Sequence, residues 1–344
     1  MVQNNSLHFA NVPDGEPKPG VDMKLVQTEF DVDGAKLDGG LLIKTLACSL
    51  DPYMRGRMRD PSVKSYSPPF ELNKPMTAFC CGKVLRSEHS SFAQGDTVTG
   101  IWSMSDYVVI PPGLVEMLRL RKAPAEAKNL PASTLLGALG MPGQTAYWSY
   151  KHIGQPKKGE TIFVSAAAGA VGQIVCQLAK RDGLKVIGSA GDDKKVAFLR
   201  DELKIDVAWN YKTESTEEHL KQNPPDIYFD NVGGETLDLV LKYMNKYGRI
   251  IACGAVSQYN LKPEEKFGLK NTMMIVAMEI TFKGFILTAD KIAQIDEFFT
   301  EMPKWVASGE IKTREHVTKG WDNGEAFVDM LSGKAQGKAV MSFE

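Results

Sequence analysis

The stretch VSAAAGAVGQIVCQLAK, residues 164–180, ends one short apolar run and opens into text with a helical repeat. Its small residues follow the spacing of a G-x-G-x-x-G turn, with Ala167 in the first glycine position and Gly169 and Gly172 in the second and third. The chemistry open to such a turn is diphosphate binding. Bare N–H groups and the dipole at a helix start attract an anion, which reaches them only where no side chain stands in the way, and Gly169 leaves that opening. A strand-to-helix turn packed for its own sake needs the same small residues, so the spacing alone leaves both readings standing. The context favours the phosphate. ETIFV before the turn reads as a strand, and Val171, Ile174, Val175 and Leu178 recur at i, i+3, i+4 and i+7, so a helix begins at the turn with one apolar stripe. Lys180 and Arg181 followed by Gly183 close that helix.

The next strand selects the dinucleotide. An NAD site expects Asp or Glu at that strand end for the adenosine ribose hydroxyls. Here it ends GSAG, residues 188–191, and DDKK follows. Asp192 or Asp193 is placed to cap the next helix, while Lys194 or Lys195 in its first turn reaches a ribose 2′-phosphate. The expected cofactor is therefore NADP(H), with one of the two lysines read as a solvated helix face.

Other chemistries find less support. The five histidines (His8, His89, His152, His219, His316) are isolated, and the five cysteines (Cys48, Cys80, Cys81, Cys176, Cys253) form no C-x-x-C pair. Neither a structural zinc site nor a secreted disulfide framework is expected, and no metal is assigned. Cys80 and Cys81 lie in an apolar run and read as buried thiols. With 41 basic against 42 acidic side chains, nothing draws the chain to nucleic acid or an anionic membrane. The first twenty residues hold no basic stretch followed by an apolar core, and no apolar run approaches the length of a membrane span, so a cytoplasmic protein is expected.

The elements that must hold these residues fall into two styles. Residues 23–122 hold β-branched runs such as MKLVQTEFDV, GGLLIKTLACSLD, FCCGKVLRS, DTVTGIW and DYVVIPP, broken by Gly, Pro, Asp and Ser. Residues 124–290 alternate short strands (TIFVSA, KVIGSAG, DVAWNY, DIYFDNVG, RIIACGAV, TFKGFIL) with helical text. Two further helical stretches precede a closing strand, GKAVMSF. The fold class expected is α/β: a Rossmann-type doubly wound parallel sheet at 125–295, inserted into a β-rich catalytic domain made of 1–124 and 296–344.

With the turn placed, further motifs become recognisable: SLDPYMRGRM (49–58), LGMPGQTAYW (139–148), AAAGAVG (166–172), DVAWNYK (206–212), FDNVGGETLD (229–238) and GRIIACGAVSQYN (248–260). In this order the chain resembles the medium-chain dehydrogenase/reductase superfamily. It is most similar to the zinc-free branch holding leukotriene hydroxydehydrogenase, the prostaglandin reductases and the alkenal double-bond reductases.

The resemblance implies a GroES-like β-rich domain and a set of site residues. Ala168, Gly169, Ala170, Val171 and Gly172 would hold the pyrophosphate; Gly191, Lys195 and Tyr211 would lie at the 2′-phosphate; Asn231 would line the cofactor groove. Cys253, Gly254, Ala255, Val256 and Tyr259, with Phe285, Ile286 and Leu287, would flank the nicotinamide, and Tyr53 would belong to the substrate pocket. Two positions depart from many relatives: Phe79 stands for a pocket tyrosine and Ala335 for an asparagine near the cofactor.

The activity implied is NADPH-dependent reduction of the C=C bond of α,β-unsaturated aldehydes and ketones, a 2-alkenal or enone reductase. Hydride goes to the β-carbon, which must lie about 3–3.5 Å from nicotinamide C4, and a donor must meet the charge on the carbonyl oxygen. The catalytic candidates are Tyr259, whose phenol can donate to an enolate or to the ribose, and Tyr53, which is as readily a pocket wall. Arg55 and Arg57 are given no role, and Met104, Met274 and Met278 read as core filling. A quinone oxidoreductase and a non-catalytic NADP-binding module remain alternatives. A homodimer paired through the sheet edge at ITFKGFIL is expected.

Overall fold

In the computed structural model, which describes residues 1–344, side chains alternate between core and solvent along the first strands, as in β6, where every second residue is buried. These strands are β1 (Val2–Phe9), β2 (Met23–Phe30), β3 (Leu41–Ser49), β4 (Lys74–Pro75), β5 (Thr77–Ser87), β6 (Thr97–Ser103), β7 (Tyr107–Ile110) and β8 (Arg121–Lys122). After them come β9 (Thr161–Val164), β10 (Lys185–Ala190), β11 (Val207–Asn210), β12 (Ile227–Asp230), β13 (Arg249–Ala252) and β14 (Thr281–Gly284), and finally β15 (Glu315–Lys319) and β16 (Lys338–Ser342). Strands β1 and β15 carry no apolar alternation strong enough to stand out in the sequence. Both are held by their neighbours: β1 by β2 and β4, and β15 by β16.

The chain divides into two compact units, Met1–Gly137 with Glu315–Glu344, and Ala138–Arg314. These boundaries differ from those expected near 124 and 296, and packing explains both shifts. Helix Ala132–Leu136 is buried at every residue, and Thr134 at its centre donates to Glu315 in the first unit. Helix Asp296–Ala307 belongs to the second unit: Glu297 accepts from Tyr147, Phe298 meets the Tyr147 ring edge-on, and Arg181 covers Trp305. The segment after it is fastened by Gln177 to Lys312 and by Gln173 to Arg314.

In the first unit a seven-stranded sheet runs β15-β16-β3-β5-β6-β8, with β7 paired to β3. Its core gathers Leu41, Ile43, Cys48, Cys80, Trp102, Met104 and Met341. Cys48 and Cys80 face each other across β3 and β5, and Cys81 is equally buried, its thiol pushed up to about 12 chiefly by desolvation.

In the second unit all six strands are parallel, in the order β11-β10-β9-β12-β13-β14. The chain steps outward from β9 to β11, then returns beside β9 with β12 and steps out the other way, which is the doubly wound order of a Rossmann fold. Its centre is an aromatic stack in which Phe163 lies flat between Trp209 and Tyr228, at 5.1 and 5.0 Å. The order of winding places a topological switch between β9 and β12, and ligands of open parallel sheets bind beyond the strand carboxyl ends at such a point.

Candidate functional site

Every site residue assigned from sequence to the second unit lies just beyond the carboxyl end of a sheet strand, or one turn into the helix that follows it. Ala168–Gly172 follow β9, Gly191 and Lys195 follow β10, Tyr211 follows β11, Asn231 follows β12, Cys253–Tyr259 follow β13 and Phe285–Leu287 follow β14. The parallel register brings them to one edge of the sheet.

The turn after β9 is shaped by two glycines with different jobs. A β-carbon at Gly172 would lie 2.5 Å from the Ala166 carbonyl oxygen and 2.8 Å from the Ala167 Cα, so only glycine lets helix Gly172–Arg181 start this close to the turn. A β-carbon at Gly169 would meet only the Ala166 oxygen, at 3.1 Å, leaving its outer side open. The Gly169 amide itself is spent within the turn, on Ala166, whereas the amides of Ala170, Val171 and Gly172 have no acceptor inside the chain, as at the start of any helix. Ala166 adopts a φ of 47°, a conformation that costs an alanine energy and is held here by the turn.

Beyond β10, the Asp192 carboxylate caps the next helix by accepting from the Lys195 amide at 2.9 Å. A β-carbon at Gly191 would lie 2.9 Å from the Tyr211 hydroxyl, so glycine is what allows the tyrosine to cross this turn. The Lys195 ammonium is held below its ordinary pKa by desolvation and by the neighbouring Lys212, with Asp192 opposing. Lys212 was not singled out from sequence; its signal was its place directly after Tyr211. Gly191, Lys195, Tyr211 and Lys212 thus form one cationic corner.

A buried polar network orients the middle of the edge, and sequence analysis missed it. Tyr228 donates to Asp230 at 2.8 Å and lies 3.0 Å from the Ser165 hydroxyl, while the same Asp230 oxygen accepts from the amides of Val232 and Gly233. Desolvation raises the Asp230 carboxyl above its usual range despite these donors. Asn231 is fixed by it, its side chain donating to the Ser165 carbonyl at 2.8 Å. After β13, the phenol oxygen of Tyr259 accepts from the Ala255 amide at 3.2 Å. The Cys253 thiol is pushed up to about 12 by desolvation and by the Asp230 charge, so it stays protonated near neutral pH. Phe285 packs against Trp148, Leu287 is buried and Ile286 is exposed.

Tyr53 belongs to the first unit, where it opens the short helix Tyr53–Arg57 behind Pro52. Beneath that turn, Asp51 and Lys338 form an ion pair at 3.0 Å, 3% and 1% exposed respectively. Lys338 also donates to the Leu50 carbonyl at 2.7 Å, and Ser49 donates to the other Asp51 oxygen. Burial, with the Asp51 charge, raises the Tyr53 phenol far above its ordinary pKa, so Tyr53 holds its proton throughout the working range. Of the two departures from the family pattern, Phe79 lies on β5 and Ala335 is buried just before β16. In neither unit does a group of three His, Cys, Asp or Glu side chains converge, and no helix is long and apolar enough to cross a membrane.

Known proteins resemble this chain over nearly its whole length. Residues 5–118 match the family model described as the N-terminal domain of oxidoreductase, and residues 170–305 match the one described as zinc-binding dehydrogenase. An NADP-dependent oxidoreductase of Cochliobolus heterostrophus is 46% identical over 99% of this chain and 98% of its own. The chain belongs to the medium-chain dehydrogenase/reductase family. Within that family, the 2-alkenal reductase (NADP(+)-dependent) of Nicotiana tabacum is 37% identical over 99% of this chain and 97% of its own. Among solved structures, CurA of Vibrio vulnificus in complex with NADPH matches at a TM-score of 0.87 and 34% identity, covering 99% of both chains.

Proposed function

We propose that this member of the medium-chain dehydrogenase/reductase family is an NADPH-dependent reductase of α,β-unsaturated aldehydes and ketones. The chain is an NADP-dependent oxidoreductase, and NADP(H) is its cofactor. The observation that carries this reading is the edge of the parallel sheet, where an open turn with unspent amides and a corner with two ammonium groups lie on the same side. Such spacing suits a dinucleotide bearing one extra phosphate. The tobacco relative supports the substrate class.

Ala170, Val171 and Gly172 offer their amides to the diphosphate, and Lys195, Tyr211 and Lys212 take the 2′-phosphate. Asn231, fixed by Ser165, and the loop Cys253–Tyr259 border the nicotinamide end. Bound there, NADPH supplies a hydride to the β-carbon of the conjugated substrate. Tyr259, its phenol oxygen held by the Ala255 amide, is the hydroxyl assigned to donate to a ribose hydroxyl or to the substrate oxygen on which negative charge grows. Tyr53, protonated at every working pH, is a second donor of the same kind.

The test is oxidation of NADPH and NADH side by side over a panel of 2-alkenals, enones and quinones. Turnover of the 2-alkenals with NADPH is expected; turnover of quinones alone would replace the substrate assignment, and NADPH binding without any acceptor reduced would make the chain a binding module. Two substitutions sharpen the test. Gly169→Val fills the open side of the turn, and a loss of NADPH binding of at least about tenfold, the effect of roughly 1.4 kcal/mol, is expected by fluorescence titration. Tyr259→Phe removes the proton but not the ring and should lower kcat for a 2-alkenal by about tenfold or more with the KM for NADPH little changed.

The same reading carries a homodimer. Strand β14 is a sheet edge exposed at all four residues, with Phe282 among them, and the nearby helix Met273–Ala277 leaves Met273 and Val276 bare at 72% and 70% exposure. Sedimentation should show a dimer that Phe282→Glu dissociates; a monomeric wild type would end this assignment.

A further inference from the structure

We propose that Ser257 and Gln258 are positioning residues for Tyr259: they tie the loop after β13 to the loop after β12, and that tie aims the Tyr259 hydroxyl. The proposal deepens the reductase reading above and rests on its assignment of Tyr259 as a donor.

Past the end of β13 the chain keeps its pairing with the segment that follows β12. The amides of Cys253 and Gly254 donate to the Asp230 carbonyl at 2.9 and 3.0 Å, that of Val256 donates to the Asn231 carbonyl at 3.2 Å, and that of Ser257 donates to the Val232 carbonyl at 3.2 Å. The Ser257 hydroxyl donates to the same Val232 carbonyl at 2.7 Å. It accepts in turn from the Gln258 side-chain amide at 2.8 Å, and the Gln258 side-chain oxygen accepts from the Phe267 amide at 2.9 Å. Because the Phe267 N–H can only donate, the Gln258 side chain has one orientation, with its NH2 towards Ser257. The relay therefore runs one way, from Phe267 through Gln258 and Ser257 to Val232. Two successive glycines in the left-handed region make room for it: Gly233 and Gly234 have φ of 68° and 56°. A β-carbon at Gly234 would lie 2.5 Å from the Gln258 Nε2 and 3.0 Å from the Ser257 Oγ, and one at Gly233 would lie 2.7 Å from the Ala255 β-carbon.

Tyr259 is the residue on which this tie acts. The short turn Val256–Gln258 closes with the Gln258 amide on the Ala255 carbonyl at 2.8 Å, and Tyr259 follows at its end. The ring folds back over the same turn: its phenol oxygen accepts from the Ala255 amide at 3.2 Å and would stand 3.0 Å from a β-carbon on Gly254. Backbone and phenol of the tyrosine are thus fastened to one turn, and the direction of the hydroxyl is set by the direction of that turn. The relay fixes the turn to Val232, and Asp230 fixes Val232 and Gly233 to the core by accepting from both amides. Ser257 is exposed and Gln258 half-buried, so the relay removes freedom from a loop and adds little to the core. A donor meets the charge growing on a carbonyl oxygen only from within hydrogen-bond reach, and a misplacement of about 1 Å forfeits much of its effect. No proton passes along the relay; Ser257 and Gln258 hold the turn and exchange nothing with the substrate.

The experiment is a double-mutant cycle of Ser257→Ala and Tyr259→Phe, read as kcat and KM with a linear 2-alkenal and NADPH. Ser257→Ala, which removes the middle of the relay, should lower kcat about three- to tenfold with the KM for NADPH within about twofold of wild type. Ser257→Thr, which keeps the hydroxyl, should recover most of that loss, and Gln258→Met, which keeps the length without the amide, should repeat it. In the Tyr259→Phe background neither Ser257→Ala nor Gln258→Met should cost anything further, because the hydroxyl they aim is gone. Equal losses in both backgrounds, or a loss carried by the KM for NADPH, would overturn the proposal and make the relay a brace for the cofactor loop. Because Ser257 is exposed, its variants are expected to fold as the wild type does. A wild type that reduces quinones but no alkenal fails the substrate class alone, and the cycle is then run with the quinone. A Tyr259→Phe variant as fast as wild type on the alkenal would overturn the proposal and leave the substrate class standing, and a wild type that reduces no acceptor would end both.

Discussion

Replacing Lys338 by methionine is expected to destabilise the first unit by about 3–5 kcal/mol, lowering its thermal midpoint by roughly 10 °C. Lys338 is 1% exposed, and its buried ammonium meets the Asp51 carboxylate and the Leu50 carbonyl. Desolvation pulls the lysine pKa down and Asp51 pulls it back up. The pair therefore adds little net stability as a pair, but breaking it leaves Asp51 charged, buried and dependent on Ser49 alone. The double variant Asp51→Asn with Lys338→Met should accordingly be more stable than Lys338→Met, because no uncompensated charge remains. Thermal unfolding of the three proteins checks this, and a Lys338→Met variant within about 1 kcal/mol of wild type would refute it.

Lys195→Ala is expected to raise the KM for NADPH by about 10–100-fold while leaving the KM for NADH unchanged, corresponding to a charged hydrogen bond of about 1.5–3 kcal/mol. The reason is local: Lys195 stands partly desolvated beside Lys212, a cost in the free protein that a phosphate dianion would relieve. Lys212→Ala should act in the same direction but by a few-fold only, because that side chain is exposed and its charge is screened. Steady-state kinetics with both cofactors at low and at physiological ionic strength decide the matter, with the NADPH preference of wild type weakening as salt rises. An unchanged preference in Lys195→Ala would move the 2′-phosphate elsewhere.

What the sequence made legible was whatever is local and periodic. The strand before residue 165, the small turn and the apolar stripe of Val171, Ile174, Val175 and Leu178 share one stretch of chain, and helix Gly172–Arg181 follows from them. The same holds for the cap at Asp192. Partnerships across long separations were not legible. Tyr228 and Asp230 read as ordinary strand text, and only the β9–β12 pairing brings them to Ser165. Lys338 and Asp51 lie 287 residues apart, and a lysine in GKAV looks like any solvated strand end. The domain boundary at 296 failed for a related reason, since an amphipathic helix declares that it packs but not on which neighbour.

The order of strands β15-β16-β3 also has a cost during synthesis. One edge of β3 is covered along Leu41–Lys44 by β7 and along Ala47–Ser49 by β16, which emerges from the ribosome only after the whole of Ala138–Arg314. Until then that second stretch of backbone has no partner, and Asp51 beside it has no lysine. The nascent first unit must wait half-closed, with an open strand edge, until its last segment is made, and it is in that interval that holding chaperones have the most to protect.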